Sequence, residues 1–215
     1  MFTAHVKAII SLKKARSVRK GYYGACAHTY VGGVDMDRGR KALDALIREH
    51  GYTDFRWIDP REIVVAQWVR MKCMFGCAGY GMSGCCPPET PSVAECERFF
   101  HEYKQAVVLR FEKRVRRPED RHAWTAKVNR KLLELERAVF LAGNERALLL
   151  FMDTCQMCRD CTGSRLHCKN KQGARPSADA LAMDVYSTVR KVGYPIQVLT
   201  DYKRTMNRYA FLMIR

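Results

Sequence analysis

The sequence predicts an α/β protein with a mixed, largely parallel sheet flanked by helices. Segments rich in apolar and β-branched residues alternate along the chain with segments of helical period. Two predicted strands, residues 63–71 and 147–152, are each followed by a cysteine-rich loop, a Pro-Ser pair, a helix and a further strand. The two pairs begin at Pro91 and Pro176, 85 residues apart. This internal pseudo-repeat favours a parallel sheet, because strand–helix–strand units return by right-handed crossovers.

The composition is that of a globular protein with a basic extension. The chain has 215 residues, of which 47% are hydrophobic, and no apolar run approaches the roughly 18 residues of a transmembrane helix. The basic, glycine- and tyrosine-containing residues 1–35 show no sustained period, and we interpret them as a disordered or loosely packed extension. Residues 36–215 are expected to form a single α/β domain that carries both cysteine-rich loops.

The formal net charge of +16 suggests an acidic protein, nucleic acid or anionic lipid as a partner. The apolar stretch at residues 6–12 is interrupted by Lys7 and precedes most of the nearby basic residues, which is the reverse of a secretory signal. We therefore expect a cytoplasmic protein. In a reducing compartment, ten cysteines indicate metal binding rather than disulfides.

The first half of the domain contains two predicted helices and three predicted strands. A helix over residues 37–50 carries apolar residues on one face and ends at Gly51. Strands are predicted at 55–58, at the β-branched and aromatic segment 63–71, and at the apolar segment 106–111. The second helix opens at Ser92 with a capping box to Glu95, runs to about Lys104, and carries Cys96, which we expect in the core.

The second half begins with a long helix over residues 118–141, stopped by Gly143. The strand at 147–152 follows, and Ser177 is then expected to cap a helix that reaches about residue 191. Closing strands are predicted at 196–200 and 209–214.

A basic loop precedes the long helix and has two interpretations. It is either a solvated turn or a docking patch for an acidic partner. Its four cations are Lys113, Arg114, Arg116 and Arg117.

The loop after the strand at 147–152 contains four cysteines within fourteen residues. Cys155, Cys158 and Cys161 recur at a spacing of three, and Cys168 completes the set. The run resembles the cysteine pattern of bacterial-type ferredoxins, and clustered thiolates are soft ligands suited to iron–sulfur clusters or zinc. Zinc sites are usually built from two separated pairs, so the triple spacing favours an iron–sulfur cluster.

An earlier loop carries four more cysteines, and the choice between two of them stays open. They are Cys73, Cys77, Cys85 and Cys86, and the residues expected around a cluster are Gly76, Gly79, Tyr80, Gly81 and Gly84. The glycines let the backbone approach a bulky ligand and offer N–H groups to its sulfurs. Tyr80 stands where a radical-SAM signature needs its third cysteine, so we reject that chemistry. Vicinal cysteines seldom reach one iron site together, and either Cys85 or Cys86 is the expected ligand. Cys26 and His28, in the extension, are interpreted as incidental.

Together, the two loops resemble the family of predicted metal-binding proteins called domain of unknown function 2284. The matching stretches are residues 68–73, 75–77, 79–81, 85–88, 136–143, 155–161, 175–177 and the terminal strand. The resemblance covers roughly residues 37–215 and excludes the basic extension. It implies metal binding through these cysteines and no settled reaction.

We therefore predict an iron–sulfur protein with two [4Fe–4S]-type clusters. One cluster would be held by the four cysteines of 155–168, and the other by Cys73 and Cys77 with Cys85, Cys86 or both. The expected role is electron transfer to, or maturation of, an anaerobic-type redox enzyme, with an acidic redox protein as partner. This role is that of an electron carrier or accessory protein rather than an enzyme, and the sequence assigns no catalytic residue.

Two alternatives from other classes remain open. One is a zinc-stabilised nucleic-acid-binding module, which would use the positive charge for phosphate contacts. The lack of zinc-finger spacing and of a basic helix argues against this alternative. The other is an enzyme whose cluster keeps an open iron site as a Lewis acid. His101, His122 and His167 are its candidate bases, although we expect each to be a surface histidine.

Overall fold

The computed structural model describes residues 34–117, 119–201 and 204–215, with side chains from residue 39 onward. The predicted basic extension and Cys26 and His28 within it fall almost wholly outside the described residues. The helices are α1 (Val34–Glu49), α2 (Gln67–Gly76), α3 (Val93–His101), α4 (Asp120–Leu141) and α5 (Val185–Lys191). The strands are β1 (Phe55–Ile58), β2 (Ala106–Lys113), β3 (Leu148–Leu150) and β4 (Met206–Met213). Short 3-10 turns occupy Pro60–Glu62 and Asp179–Leu181.

The four strands form one sheet in the order β1-β2-β4-β3, and every neighbouring pair is antiparallel. The central pair, β2 and β4, runs over eight residue pairs from Ala106 opposite Met213 to Lys113 opposite Met206. The prediction of a largely parallel sheet is therefore wrong. It depended on a strand at 63–71 that would begin the first crossover unit, and that segment is not a strand.

Residues 63–71 instead enter helix α2 after a single bridge between Val65 and Met183. Val69 and Arg70 are buried, whereas Trp68 and Met71 are exposed. This pattern is that of one buried face of a helix, and not the alternation of buried and exposed residues in a strand. The Arg70 guanidinium donates to the carbonyl oxygens of Pro91 at 2.9 Å and Ala180 at 3.2 Å. These tertiary contacts override the strand propensity of the segment, and the predicted pseudo-repeat loses its first strand.

The predicted helix over 177–191 and the strand at 196–200 also need correction. Ala182 adopts a left-handed φ of 59° and interrupts the helix, so α5 begins only after Asp184, whose carboxylate accepts from the Ser187 N–H at 3.0 Å. Residues 196–200 belong to no strand. Val198 is 75% exposed, so this segment lacks the buried alternate face that a paired strand needs.

The remaining elements follow the sequence prediction closely. Helices α1 and α4 and strands β1, β2 and β4 begin and end within about three residues of their predicted limits. The predicted capping box at Ser92 is confirmed, because its hydroxyl accepts from the Glu95 N–H while the Glu95 carboxylate accepts from the Ser92 N–H. Within the described ranges, no helix combines the length and apolarity needed to cross a bilayer.

Helices cover both faces of the sheet. Val107 and Leu109 of β2 pack with α1 and α4 on one face, and Ala106 and Val108 pack with α3 and α5 on the other. This alternation follows from the two-residue period of a strand. Cys96 of α3 is buried in the second of these cores, as the sequence predicts.

Candidate metal centre

The eight candidate ligands lie in two segments that the fold brings side by side. Cys73 is in the second half of α2 and Cys77 ends that helix, while Cys85 and Cys86 lie in the following loop. The second set, Cys155 to Cys168, lies in the loop after β3. All nine cysteines in the part of the chain that the structure describes are free thiols.

The two cysteine loops contact each other through their backbones. A Cβ atom on Gly84 would lie 2.6 Å from the carbonyl oxygen of Ser164, and one on Gly163, which has a φ of +73°, would lie 3.2 Å from that of Gly81. The Arg165 N–H donates to the Glu89 carboxylate at 2.7 Å. Close backbone approach of this kind explains why glycine is needed at position 84.

Replacing Gly84 with alanine should separate the two loops. The new methyl group would meet backbone atoms, which cannot rotate away, so we expect the free energy of unfolding to fall by about 1–3 kcal/mol and the content of bound metal to drop. The matched control is Gly76→Ala, because nothing lies within 4 Å of the Cβ position at Gly76. Equal metal content in the two purified variants, measured by elemental analysis, would contradict the role of this contact in metal binding.

The second thiol group consists of Cys85, Cys155 and Cys168. A hydrogen bond from the buried Cys85 thiol, together with the backbone N–H groups of Met157 and Arg175, lowers the pKa of Cys155 to about 6. The same hydrogen bond, followed by burial, raises the pKa of Cys85. Arg165 favours the thiolate form of both residues, and a charge on Cys168 reaches Cys85. Thiolate is the form that binds metal, so Cys155 is prepared as a ligand.

The first thiol group consists of Cys73, Cys77 and Cys86. Burial raises the pKa of Cys73, and negative charge on Asp179, Cys77 and Cys86 raises it further. Burial likewise raises the pKa of Cys86, although its sulfur lies 3.1 Å from the Thr154 hydroxyl. Negative charges on converging thiols destabilise each other, and Arg70 offsets only part of this effect at Cys73.

The vicinal cysteines therefore face different groups. Cys85 and Cys155 of the second group shift each other's pKa in opposite directions, whereas Cys86 and Cys73 of the first group each have their pKa raised by charge on Cys77. Cys158 and Cys161 lie in the same loop as the second group, half-buried and exposed respectively. Among the described residues, no three His, Cys, Asp or Glu side chains stand close enough to hold one metal ion as they are oriented here.

The residues expected around a cluster have varied roles. Gly79 lies with its Cβ position 3.7 Å from the Cys77 sulfur. The N–H groups of Tyr80 and Gly81 donate to the carbonyl oxygens of Cys77 and Pro87, each at 3.1 Å. Because those donors have backbone partners, these two residues shape the loop, and Gly81 does so with a φ of +74°.

A cavity of about 480 Å³ adjoins the first thiol group, and Cys73 and Cys77 are in its wall. Exposed apolar side chains cluster on the same helix and loop. They are Trp68, Met71, Met74, Phe75, Tyr80 and Met82. Such a concentration of apolar surface is typical of an interaction site.

The predicted docking patch lies at the start of α4. Lys113, Arg114 and Arg116 line a shallow hollow of about 380 Å³ together with Trp124. Arg117 is part of the same loop, and its guanidinium lies 3.2 Å from Asp120 and 3.7 Å from Glu119. The charge of Arg117 is therefore partly compensated, and the hollow owes its positive charge to the other three cations and to Lys127.

The three candidate bases are all exposed, as expected of surface histidines. His122 alone contacts a cysteine loop, with Nδ1 2.9 Å from the side-chain nitrogen of Gln156. His101 ends α3, and His167 lies in the loop beside Cys168.

Sequence reasoning missed three residues that act on the thiols. Thr154 precedes the first cysteine of its loop, so its position was a usable signal, although its contact is with Cys86 of the other loop. Arg165 lies between Cys161 and Cys168 and acts on Cys85. Asp179 affects Cys73 and Cys86 from a 3-10 turn far away in the sequence, and no local pattern marks it.

The comparisons with known proteins agree with this concentration of thiols. Residues 56–214 match the family described as predicted metal-binding protein (DUF2284). No curated protein and no solved structure matches the chain. The match covers well over half of the chain, including every candidate cysteine ligand, so the chain belongs to the DUF2284 family of predicted metal-binding proteins.

Proposed function

We propose that this protein binds iron–sulfur clusters at its two thiol groups and passes electrons to, or helps to mature, a redox enzyme. The observation that carries the proposal is the division of the vicinal pair. Cys85 and Cys155 shift each other's pKa, whereas Cys86 interacts electrostatically with Cys73 and Cys77 and its sulfur lies 3.1 Å from the Thr154 hydroxyl. The eight cysteines would then serve two centres rather than one centre with a spare ligand.

The donor sets fit iron–sulfur clusters, which are held by cysteine thiolates. The second centre would draw on Cys155, Cys158, Cys161 and Cys168, with Cys85 replacing one of them as a ligand. Backbone N–H groups of Met157 and Arg175 lower the pKa of Cys155, and hydrogen bonds to ligand sulfurs tune the potential of a cluster. When bound, the clusters would supply one-electron transfer.

The surface around the centres suits a transient protein partner. Apolar side chains on α2 and its loop surround Cys73 and Cys77, and the basic hollow lies at the same end of α4 as Arg121, which lines the cavity beside them. An apolar patch with cations nearby would recruit an acidic redox protein or enzyme, because charge complementarity accelerates association.

A second candidate function follows from the count of thiols in the first centre. If Cys85 serves the second centre, the first has only Cys73, Cys77 and Cys86, with Asp179 as the nearby carboxylate. A cubane held by three thiolates has one iron free for a weaker ligand or a substrate. Because the 480 Å³ cavity adjoins Cys73 and Cys77, this centre is the candidate for an enzyme with an open iron site.

Anaerobic purification tests the proposed function directly. We expect a brown protein with broad visible absorbance and about eight irons per chain, as two [4Fe–4S] clusters require. A colourless protein with stoichiometric zinc would overturn the proposal and favour the zinc-stabilised module, above all if it also bound DNA or RNA in a salt-dependent way. About four irons per chain would restrict the proposal to one cluster.

A further inference from the structure

The cavity beside the first thiol group contains two arginines that share one carboxylate. Asp153 lies with Oδ2 3.2 Å from Arg121 Nε and Oδ1 3.5 Å from Arg208 Nη1. All three residues line the cavity. One carboxylate facing two guanidinium groups leaves this corner of the cavity with a net positive charge.

The hydrogen bonding of this cluster is incomplete. Although the ion-pair distance between Arg121 Nε and Asp153 Oδ2 is short, neither atom has a properly directed hydrogen bond within the described part of the chain. The same holds for the buried Nε of Arg208. A guanidinium has five N–H donors, and the side chains of Arg121 and Arg208, which line the cavity, are 28% and 29% exposed.

The backbone at this corner is also unusual. Asp153 has a φ of 56°, in the left-handed region that residues other than glycine seldom adopt. Backbone strain of this kind collects at functional sites, where surrounding structure maintains it. Here the left-handed residue connects β3 to the two residues that follow it. Thr154 contacts Cys86, and Cys155 belongs to the second thiol group.

The wall also contains two further carboxylates and one further cation, so the positive charge is local to this corner rather than a property of the whole cavity. Asp184 is occupied at the start of α5, where it accepts from the N–H and the hydroxyl of Ser187. Asp179 lies near the thiols, where it raises the pKa of Cys73 and Cys86 after burial. Lys72 adds a cation and lies with Nζ 5.1 Å from the centre of the Trp68 ring. The cavity wall is thus positively charged where Arg121 and Arg208 surround Asp153, and negatively charged near the thiols.

Most of the rest of the wall is apolar. Trp68, Tyr186, Ile196 and Leu199 contribute to it, and about 480 Å³ lies within the range of ligand cavities in proteins, roughly 300–1,000 Å³. A few oriented charged groups inside apolar walls are typical of sites that bind a small organic molecule by one polar end.

We propose that this cavity binds a small organic anion, a carboxylate or a phosphate monoester with an apolar body. Arg121 and Arg208 hold the anionic group, Asp153 orients the two guanidiniums, and the apolar body lies along the wall toward Cys73 and Cys77. No thiol takes part in anion binding, so this proposal can fail while the metal proposal stands, and the reverse.

Calorimetry with three probes that share a phenyl ring tests the proposal on the full chain as purified. Benzoate and phenyl phosphate carry the anionic group, and benzamide is the uncharged match. We expect at least one anion to bind about tenfold more tightly than benzamide or better, as charge-assisted hydrogen bonds require. The preferred anion distinguishes a carboxylate from a phosphate ligand. Equal binding of all three probes, or no binding of either anion, would overturn the proposal.

Variants at the three charged residues should change affinity for the preferred anion in opposite directions. Arg208→Gln and Arg121→Gln should each weaken binding about tenfold, whereas Asp153→Asn should strengthen it several-fold because it removes the competing carboxylate. The control is Arg130→Gln, an exposed arginine on the same helix as Arg121. If all three variants weakened binding alike while remaining folded by circular dichroism, the cluster would be structural and the proposal wrong.

Discussion

Serine substitutions at Cys85 and at Cys86 should each remove about half of the bound metal, and from different centres. The reason is that Cys85 and Cys155 shift each other's pKa, whereas Cys86 lies 3.1 Å from the Thr154 hydroxyl and interacts electrostatically with Cys73 and Cys77. If two [4Fe–4S] clusters are bound, each variant should retain about four of eight irons. Elemental analysis and electron paramagnetic resonance of the reduced proteins would show a different signal lost in each.

Double substitutions make this test sharper. Cys85→Ser combined with Cys155→Ser should cost no more metal than either change alone, because both act on one centre. Cys86→Ser combined with Cys155→Ser should remove nearly all of it. Cys96→Ala is the control, because Cys96 is buried in the core and should not affect metal content. If one vicinal variant kept its full metal content, that cysteine would be a spare and the division of the pair would be wrong.

The sequence predicted the candidate ligands but not how they are shared between centres. Spacing of three residues in 155–161 marks a metal-binding loop by itself. It carries no information on which of two adjacent cysteines turns toward which loop. That depends on the contact between Gly84 and Ser164 and on the hydrogen bond between Cys86 and Thr154, both of which join residues distant in sequence.

The prediction of the sheet topology was wrong for a related reason. The segment at 63–71 has β-branched residues at its start, and its strand propensity was read as a buried strand. In the structure, the buried Arg70 bonds to carbonyl oxygens in two other segments and the segment continues as a helix. With that strand removed, nothing in the sequence indicates that β4 pairs antiparallel with β2 over its whole length.

Elements with strong local signals were predicted well. The long helix α4 has a sustained apolar stripe, and the capping box of α3 uses residues three positions apart. By contrast, the cluster of Arg121, Asp153 and Arg208 joins a helix, a loop and the last strand. Charges brought together by tertiary structure leave no periodic or spaced pattern in a single sequence.

A buried carboxylate connects the second cysteine loop to the fold. Glu136 of α4 is 5% exposed and accepts from the Leu149 N–H at 2.7 Å and from Arg175 Nε and Nη2 at 2.9 Å and 2.8 Å. Leu149 belongs to β3, which precedes the loop, and Arg175 lies where the loop ends. The backbone N–H of Arg175 also lowers the pKa of Cys155. One carboxylate therefore positions both ends of the loop.

Replacing Glu136 with alanine should lower the free energy of unfolding by about 3–5 kcal/mol, because it leaves the Arg175 guanidinium without its carboxylate partner in a largely buried setting. Glu136→Gln should cost less, since the amide oxygen can still accept from the Leu149 N–H. The control is Glu134→Ala on the exposed side of α4, which should change stability by no more than about 0.5 kcal/mol. Urea unfolding of the three variants measures the difference.

The same substitution should also affect the thiols, because Arg175 is shared between Glu136 and Cys155. In folded Glu136→Ala protein at low temperature, we expect metal to be lost from the second centre before the first. The paramagnetic signal that disappears should therefore be the one that Cys85→Ser removes, not the one that Cys86→Ser removes. Loss of both signals together would mean that Glu136 supports the whole fold rather than this loop. Equal free energies of unfolding for Glu136→Ala and Glu134→Ala would refute the role of the Glu136 carboxylate altogether.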